Sequence, residues 1–231
     1  MNGVLPPAPI KHMSHSMASA GRVLWGIGTP RTMRAHWALH ELSLPYQTRP
    51  VRTRSEETSS PEFVLLNARQ KIPLLQDGEF VIGESAAIIA YLAETYTDAE
   101  TSLIPKDRHE RARWLEWCFF IMTELDATAL YVVRRHRGLT ELYGDAPAAV
   151  ASAQAYFSRQ LEFVNGALDR GSRYLMGEQF TTADILLSSC LVWASAQELP
   201  LQGSCLAYLD RTTCRQSYRR ALAANHLAPA G

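Results

Sequence analysis

Every strand signal in this 231-residue chain falls before residue 83, and past residue 107 only helical periodicity remains. Short apolar runs stand at 22–27, 46–51, 72–76 and 79–82. A helical pattern separates the first two. Pro30 follows the break at Gly28-Thr29, and Met33, Trp37 and Leu39 recur over 31–42. Strand, helix, strand in so short a span predicts a βαβ unit with parallel strands and a right-handed crossover. Asp77-Gly78, between the last two runs, is a hairpin signal. A polar stretch at 52–60 and a short helix at 61–66 precede the hairpin. A helix at 85–96 with the stripe Ile88, Ile89, Leu92 follows it. The order β-α-β, loop, β-β-α predicts one mixed sheet with helices packed on it.

The second half reads as a helical bundle. Trp114, Trp117, Cys118, Ile121, Leu125, Ala129 and Val132 fall on one face of a helix from 107 to 135. Further helices are expected at 146–168, 182–196 and 204–225. The expected class is α/β plus all-α. A loose tail covers 1–20, a mixed α/β domain 21–97, a linker 98–106 and an all-helical domain 107–231.

Charge and cysteine usage narrow the function. Lys plus Arg and Asp plus Glu number 23 each, so the net charge is zero. Such a chain lacks the basic footprint of a nucleic-acid binder. Arg134, Arg135 and Arg137 read as cations complementing a helix C-terminus. No run reaches the roughly 18 to 20 apolar residues of a membrane span, and 1–20 lacks the apolar run of a secretion signal. A cytoplasmic protein is expected. Cys118, Cys190, Cys205 and Cys214 form no C-x-x-C pair and have no histidine at metal-ligand spacing. They read as free, mostly buried thiols in a reducing compartment. His36 and His40 stand at i, i+4 with no evident third ligand, so no metal is expected.

Three constellations in the first half carry chemistry. Thr29 stands at a strand-to-helix turn, where unsatisfied N–H groups carry partial positive charge. A thiolate or other anion is stabilised there, and a hydroxyl can donate one more charge-assisted hydrogen bond. The plain alternative is a helix cap. In Lys71-Ile72-Pro73 the proline opens a strand beside a loop, a setting for a cis bond. The Ile72 backbone can then pair with a peptide-like ligand, and Lys71 can meet a carboxylate. The alternative is an edge proline beside a solvated lysine. In Glu84-Ser85, Ser85 reads as an N-cap whose N–H groups, with those of Ala86 and Ala87, make an anion site. Glu84 can accept an ammonium. An anion site beside a carboxylate fits the α-amino-acid end of a ligand; simple capping is the alternative.

Taken together, these segments resemble the cytosolic glutathione transferases. Residues 38–46 look like that family's first helix end and second strand, 70–75 like its cis-proline segment, and 84–88 like its γ-glutamyl motif. Phe180-Thr181-Thr182-Ala183-Asp184 looks like its helix-nucleating box, with the logic of a capping box. The likeness spans about 200 residues with four motifs in order.

The resemblance implies a thioredoxin-like domain followed by a helical one. It also implies glutathione as co-substrate, a homodimer and a role in detoxification. Ile72 would pair with the cysteinyl part of glutathione, Pro73 would be cis, and Lys71, with Gln70, would meet the glycyl carboxylate. Glu84 and Ser85 would hold the γ-glutamyl end. Thr29 occupies the place of the serine or cysteine that touches the sulfur in other members. The first strand holds no tyrosine, and the absence of cysteine argues against a thiol transferase. Arg31 and Arg34 would lend electrostatic support; Arg34 also reads as a structural helix residue. Trp117, Phe120 and Tyr131 would line an apolar pocket for a small hydrophobic electrophile, or pack as core. Glu124 and Asp126 would either reach a partner subunit's site or form a solvated helix face. Related readings are a glutathione-dependent isomerase, reductase or lyase, and a non-catalytic binding protein.

Overall fold

A computed structural model describes residues 21–97, 102–201 and 203–226. The expected tail at 1–20 and the linker's first residues, 98–101, lie outside the described residues. Four strands form one sheet: β1 (Arg22–Trp25), β2 (Gln47–Arg49), β3 (Leu74–Asp77) and β4 (Phe80–Gly83), in the order β2-β1-β3-β4. β1 and β2 are parallel, and the other two pairings are antiparallel. The helices are α1 (Pro30–Glu41), α2 (Pro61–Leu66), α3 (Ser85–Thr95), α4 (Arg108–Phe120), α5 (Tyr131–Gly138), α6 (Thr140–Tyr143), α7 (Pro147–Leu168), α8 (Thr182–Ala196), α9 (Ser204–Thr213) and α10 (Gln216–Asn225).

Three elements differ from their sequence expectation for local reasons. β2 is only three residues long: Pro50 has no N–H for the ladder, and Val51 N–H bonds back to Arg49 O at 2.8 Å. The hairpin is shifted by one residue. Asp77 pairs with Phe80, so Gly78 and Glu79 form the loop, and Gly78 takes the positive φ of +63°. The expected helix at 204–225 is two helices, α9 and α10, separated at 214–215.

The core explains the helix patterns. Leu24 and Leu75 pair across β1 and β3 and are fully buried, in one cluster with Ala35, Ala38 and Leu39 of α1 and Ile88, Ile89 and Leu92 of α3. α1 packs against α3, α8 and α10, so residues 32–39 are all buried and no solvent stripe survives. α8 is likewise buried almost throughout. It opens on a capping box: Asp184 accepts Thr181 N–H at 2.7 Å, and also Leu175 N–H at 2.9 Å and Tyr208 O–H at 2.7 Å. Burial still pushes the Asp184 carboxyl up against these bonds.

Between α4 and α5 the chain stays helical but winds more widely. Ile121–Leu130 is π-helical, and Tyr131 N–H bonds to Asp126 O, five residues back. Trp114, Ile121, Leu125 and Ala129 are buried as one α-helical face would have them. The wider winding brings Val133 into the core in place of Val132, and turns Asp126 and Leu130 inward. Asp126 is therefore buried, not part of a solvated face.

Among the described residues no helix is long and apolar enough to cross a membrane. The four cysteines are free; Cys190 and Cys205 are buried, Cys118 is half-buried and Cys214 is exposed. Burial pushes the thiols of Cys118, Cys190 and Cys205 up to about 12.

Candidate functional site

A cleft of about 260 Å³ opens where the first half meets α5 and α8. Thr29, Pro30 and Arg31 enter it from the start of α1, and Gly83, Glu84 and Ser85 from the start of α3. Asn67, Arg69, Lys71, Ile72 and Pro73 come from the segment leading into β3, and Thr53 and Arg54 from the polar stretch after β2. The helical half contributes Tyr131 and Arg134 of α5 and Trp193 of α8. Two helix N-termini thus face one cleft, a setting that favours anions.

Thr29 is the N-cap of α1, and its hydroxyl has a defined proton. Thr29 Oγ1 accepts Thr32 N–H at 3.0 Å, while Thr29 N–H donates to Thr32 Oγ1 at 3.0 Å. Thr32 Oγ1 lies 2.7 Å from Asn225 Oδ1 and 2.9 Å from Thr29 O, both acceptors. The single proton of Thr32 is committed to them and cannot also go to Thr29 Oγ1, 3.0 Å away. Thr29 therefore keeps its own proton, for Thr32 Oγ1 or for an acceptor in the cleft. Asn225, at the end of α10, holds the turn from the other side. Its backbone O and Oδ1 accept Gly28 N–H at 2.9 and 3.1 Å, and its Nδ2 donates to Thr29 O at 3.3 Å.

The Ile72–Pro73 bond is cis. Ile72 rests against the end of β1 because Gly26 has no side chain. A Cβ there, at φ +123°, would stand 2.8 Å from both Ile72 Cβ and Thr32 Cγ2.

Glu84, at φ +65°, is the N-cap of α3, so Ser85 is its first helical residue and does not cap with its side chain as expected. The Ser85 hydroxyl instead accepts Arg34 Nη1 at 3.2 Å, which leaves its proton free for the cleft. Glu84 forms an exposed ion pair with Arg69.

Behind the cleft, Arg34 is fully buried. Its guanidinium reaches Asp126 Oδ2 at 2.7 Å, Ser189 Oγ at 2.6 Å, Met122 Sδ at 3.1 Å and Cys190 Sγ at 3.3 Å. Arg31 Nη2 meets Asp126 Oδ1 at 2.5 Å. Burial alone would raise the Asp126 carboxyl; Arg34 and Arg31 outweigh it and hold it below the usual range.

Several sequence expectations therefore move. Arg34 is a structural hub, off the cleft wall, whereas Arg31 lines it. Gln70 is exposed, its Oε1 accepting Ser59 Oγ at 3.4 Å, and Arg69 takes the place on the wall. Trp117 and Phe120 are outside the cleft: they pack on each other at 5.8 Å and on Phe163 of α7 at 5.4 and 5.3 Å between ring centroids. Of the three proposed pocket aromatics only Tyr131 lines it, joined by Trp193. Arg134 faces the cleft, beyond its expected role at a helix end. Asp126 lies in the intramolecular ion cluster, and Glu124 accepts the Tyr156 hydroxyl.

His36 and His40 both reach the Tyr46 hydroxyl. His36 Nε2 donates to Gly26 O at 3.1 Å, so its Nδ1 accepts Tyr46 O–H at 2.7 Å, and Tyr46 Oη lies 3.2 Å from His40 Nε2. Among the described residues no group of three or more His, Cys, Asp or Glu is placed to hold a metal. Sequence reading missed Arg54, Arg134, Trp193, Thr32 and Asn225. The polar stretch that contains Arg54 and the cluster Arg134, Arg135, Arg137 were visible signals; nothing local marked the others.

The family model described as glutathione S-transferase, N-terminal domain, matches residues 20–94, and the C-terminal domain model matches 120–207. The chain is similar to glutathione S-transferase GstA of Escherichia coli O157:H7, 31% identical over 171 residues, covering 72% of this chain and 79% of the relative. It is 29% identical over 176 residues to glutathione S-transferase 1 of Schizosaccharomyces pombe, covering 74% and 72%. A crystal structure of a glutathione transferase from Methylococcus capsulatus superposes with a TM-score of 0.73 at 28% identity, covering 90% of this chain and all of the other.

Proposed function

This chain belongs to the glutathione S-transferase family, and on that premise we propose how its cleft binds and activates glutathione. The protein is a glutathione transferase, and the reaction is attack by the glutathione sulfur on a small electrophile. Glutathione lies along the wall from Lys71 to Ser85. Its γ-glutamyl carboxylate takes the Ser85 hydroxyl and the N–H groups at the start of α3, and Glu84 receives its ammonium. Its cysteinyl backbone pairs with Ile72 beside Pro73, and its glycyl carboxylate meets Lys71.

The sulfur sits at Thr29. A free thiol near pKa ~8.5 is mostly protonated at neutral pH. Each unit by which the site lowers that value raises the thiolate fraction about tenfold, for roughly 1.4 kcal/mol of stabilisation. The means are the α1 N-terminus and the Thr29 proton. The thiol proton passes to solvent, the sulfur forms a bond to the electrophilic carbon, and the leaving group departs with its electron pair. Tyr131 and Trp193 offer the electrophile an apolar surface. In this reading residues 21–97 are the glutathione-binding domain, and those from 107 onward carry the acceptor side of a cytoplasmic homodimer.

The observation that carries the reading is the proton inventory at Thr29, with Thr32 committed to Asn225 Oδ1 and Thr29 O. The test is a pH titration of bound glutathione followed by thiolate absorbance near ~240 nm. The expected result is a bound thiol that ionises below its free value and loses that shift in Thr29→Ala. A Thr29→Ala variant with full turnover and the same thiol titration would leave Thr29 only a helix cap.

A further inference from the structure

The cleft holds more positive charge than glutathione can use. Five cations line it, Arg31, Arg54, Arg69, Lys71 and Arg134, against the single carboxylate of Glu84. Arg69 is paired with Glu84, and Arg31 with Asp126 just behind the wall. Under the reading above, Lys71 serves the glycyl carboxylate. Arg54 and Arg134 remain. Among the described residues neither forms an ion pair; Arg54 donates to the Tyr131 and Tyr143 hydroxyls, both at 3.4 Å, and lies over the Tyr143 ring at 5.8 Å.

These two guanidinium groups flank the acceptor's apolar surface. Arg134 follows Tyr131 by three residues on α5, so the two share a helix face. Arg31 stacks over the Tyr131 ring at 4.5 Å and faces the Trp193 ring at 5.9 Å. Half-burial lowers the pKa of Arg134, and repulsion from Arg54 and Arg31 lowers it further. Crowded, unpaired cations in a cleft are relieved by an anionic ligand, and guanidinium groups hold carboxylate or phosphate oxygens with directional bonds.

We propose that the electrophile this enzyme prefers carries an anionic group, a carboxylate, sulfonate or phosphate, held by Arg134 and Arg54 while its ring or alkene lies on Tyr131 and Trp193. The inference rests on the transferase reading and adds the substrate class. With an aryl chloride the step balances simply. The glutathione thiolate forms the C–S bond, chloride leaves with its electron pair, and the acid group stays ionised throughout.

The experiment compares 4-chloro-3,5-dinitrobenzoate with its methyl ester, each kcat/KM divided by the uncatalysed rate with glutathione. The native enzyme is expected to prefer the acid by about tenfold or more, the scale of one charge-assisted pair. That preference should fall as salt is raised, collapse toward unity in Arg134→Gln and return in part in Arg134→Lys. Equal use of acid and ester by the native enzyme would overturn the inference and leave the transferase reading standing. So would an Arg134→Gln variant that keeps the preference but raises the KM for glutathione, because the guanidinium would then hold glutathione. Failure of the native enzyme to bind glutathione or convert either compound would remove both.

Discussion

Removing the Asp126 carboxylate should cost this protein more than any surface change, because it strands a buried cation. The Asp126 side chain is 1% exposed and that of Arg34 is 0% exposed. The other acceptors around Arg34 are two hydroxyls and two sulfur atoms, all neutral. Asp126→Ala therefore leaves an uncompensated guanidinium between α1, α3 and α8, a loss of about 3 to 5 kcal/mol. Arg31, a third exposed, adds little because solvent screens it. At about 2 to 4 °C per kcal/mol for a chain of this size, the melting temperature should fall by about 6 to 20 °C. Urea denaturation and calorimetry measure it. Arg34→Met combined with Asp126→Leu should recover most of the loss, since replacing both partners leaves no orphan. The sign of the pH dependence follows from the depressed Asp126 carboxyl. Its contribution is present above the ordinary carboxylate value and is lost as pH falls through the lower folded value. Asp126→Ala should flatten that acid limb. A loss under about 1 kcal/mol would refute the reasoning, because it would mean that Arg34 finds water or another acceptor.

Two further perturbations probe the turn between β1 and α1 from either side. Asn225→Ala removes the acceptor that commits the Thr32 proton and the donor to Thr29 O; stability should drop by about 1 to 3 kcal/mol. Its kcat should fall several-fold with little change in the KM for glutathione, and an equal loss in both would show that Asn225 only supports the fold. His36 is buried and its pKa is lowered to about 4, chiefly by burial, with its hydrogen bond to Gly26 opposing. The unfolded chain takes up this proton near pH ~6.5 and the folded chain does not, so stability should decline from there down to about pH 4. Equilibrium unfolding of the native protein and of His36→Gln across that range should show the slope reduced in the variant; an unchanged slope would assign it to other groups.

The fold was legible because its signals are local. Strand runs, the Asp77-Gly78 turn, the Pro30 and Thr181 helix starts and the stripe on α3 all depend on neighbours within a few residues. The wall from Lys71 to Ser85 was legible for the same reason, as two short segments flanking one hairpin. The long helix was legible as a helix but not in its winding. The π-helical stretch places Asp126 and Arg134, and no periodicity at 3.6 residues per turn announces it. Trp117 and Phe120 looked like pocket aromatics because helical spacing says which residues share a face, not what that face meets.

What the sequence by itself determined is the set of elements, their order and the residues gathered around the hairpin, since backbone propensity and turn geometry act over a few residues. What only the tertiary structure decided is which groups from distant helices meet at Thr29 and face the cleft. Asn225 lies 196 residues from Thr29 in the chain, Asp126 lies 92 from Arg34, and Arg134 (134 − 54) lies 80 from Arg54. Their encounter is set by how α1 packs against α3, α8 and α10, a long-range outcome of burial that no local pattern encodes.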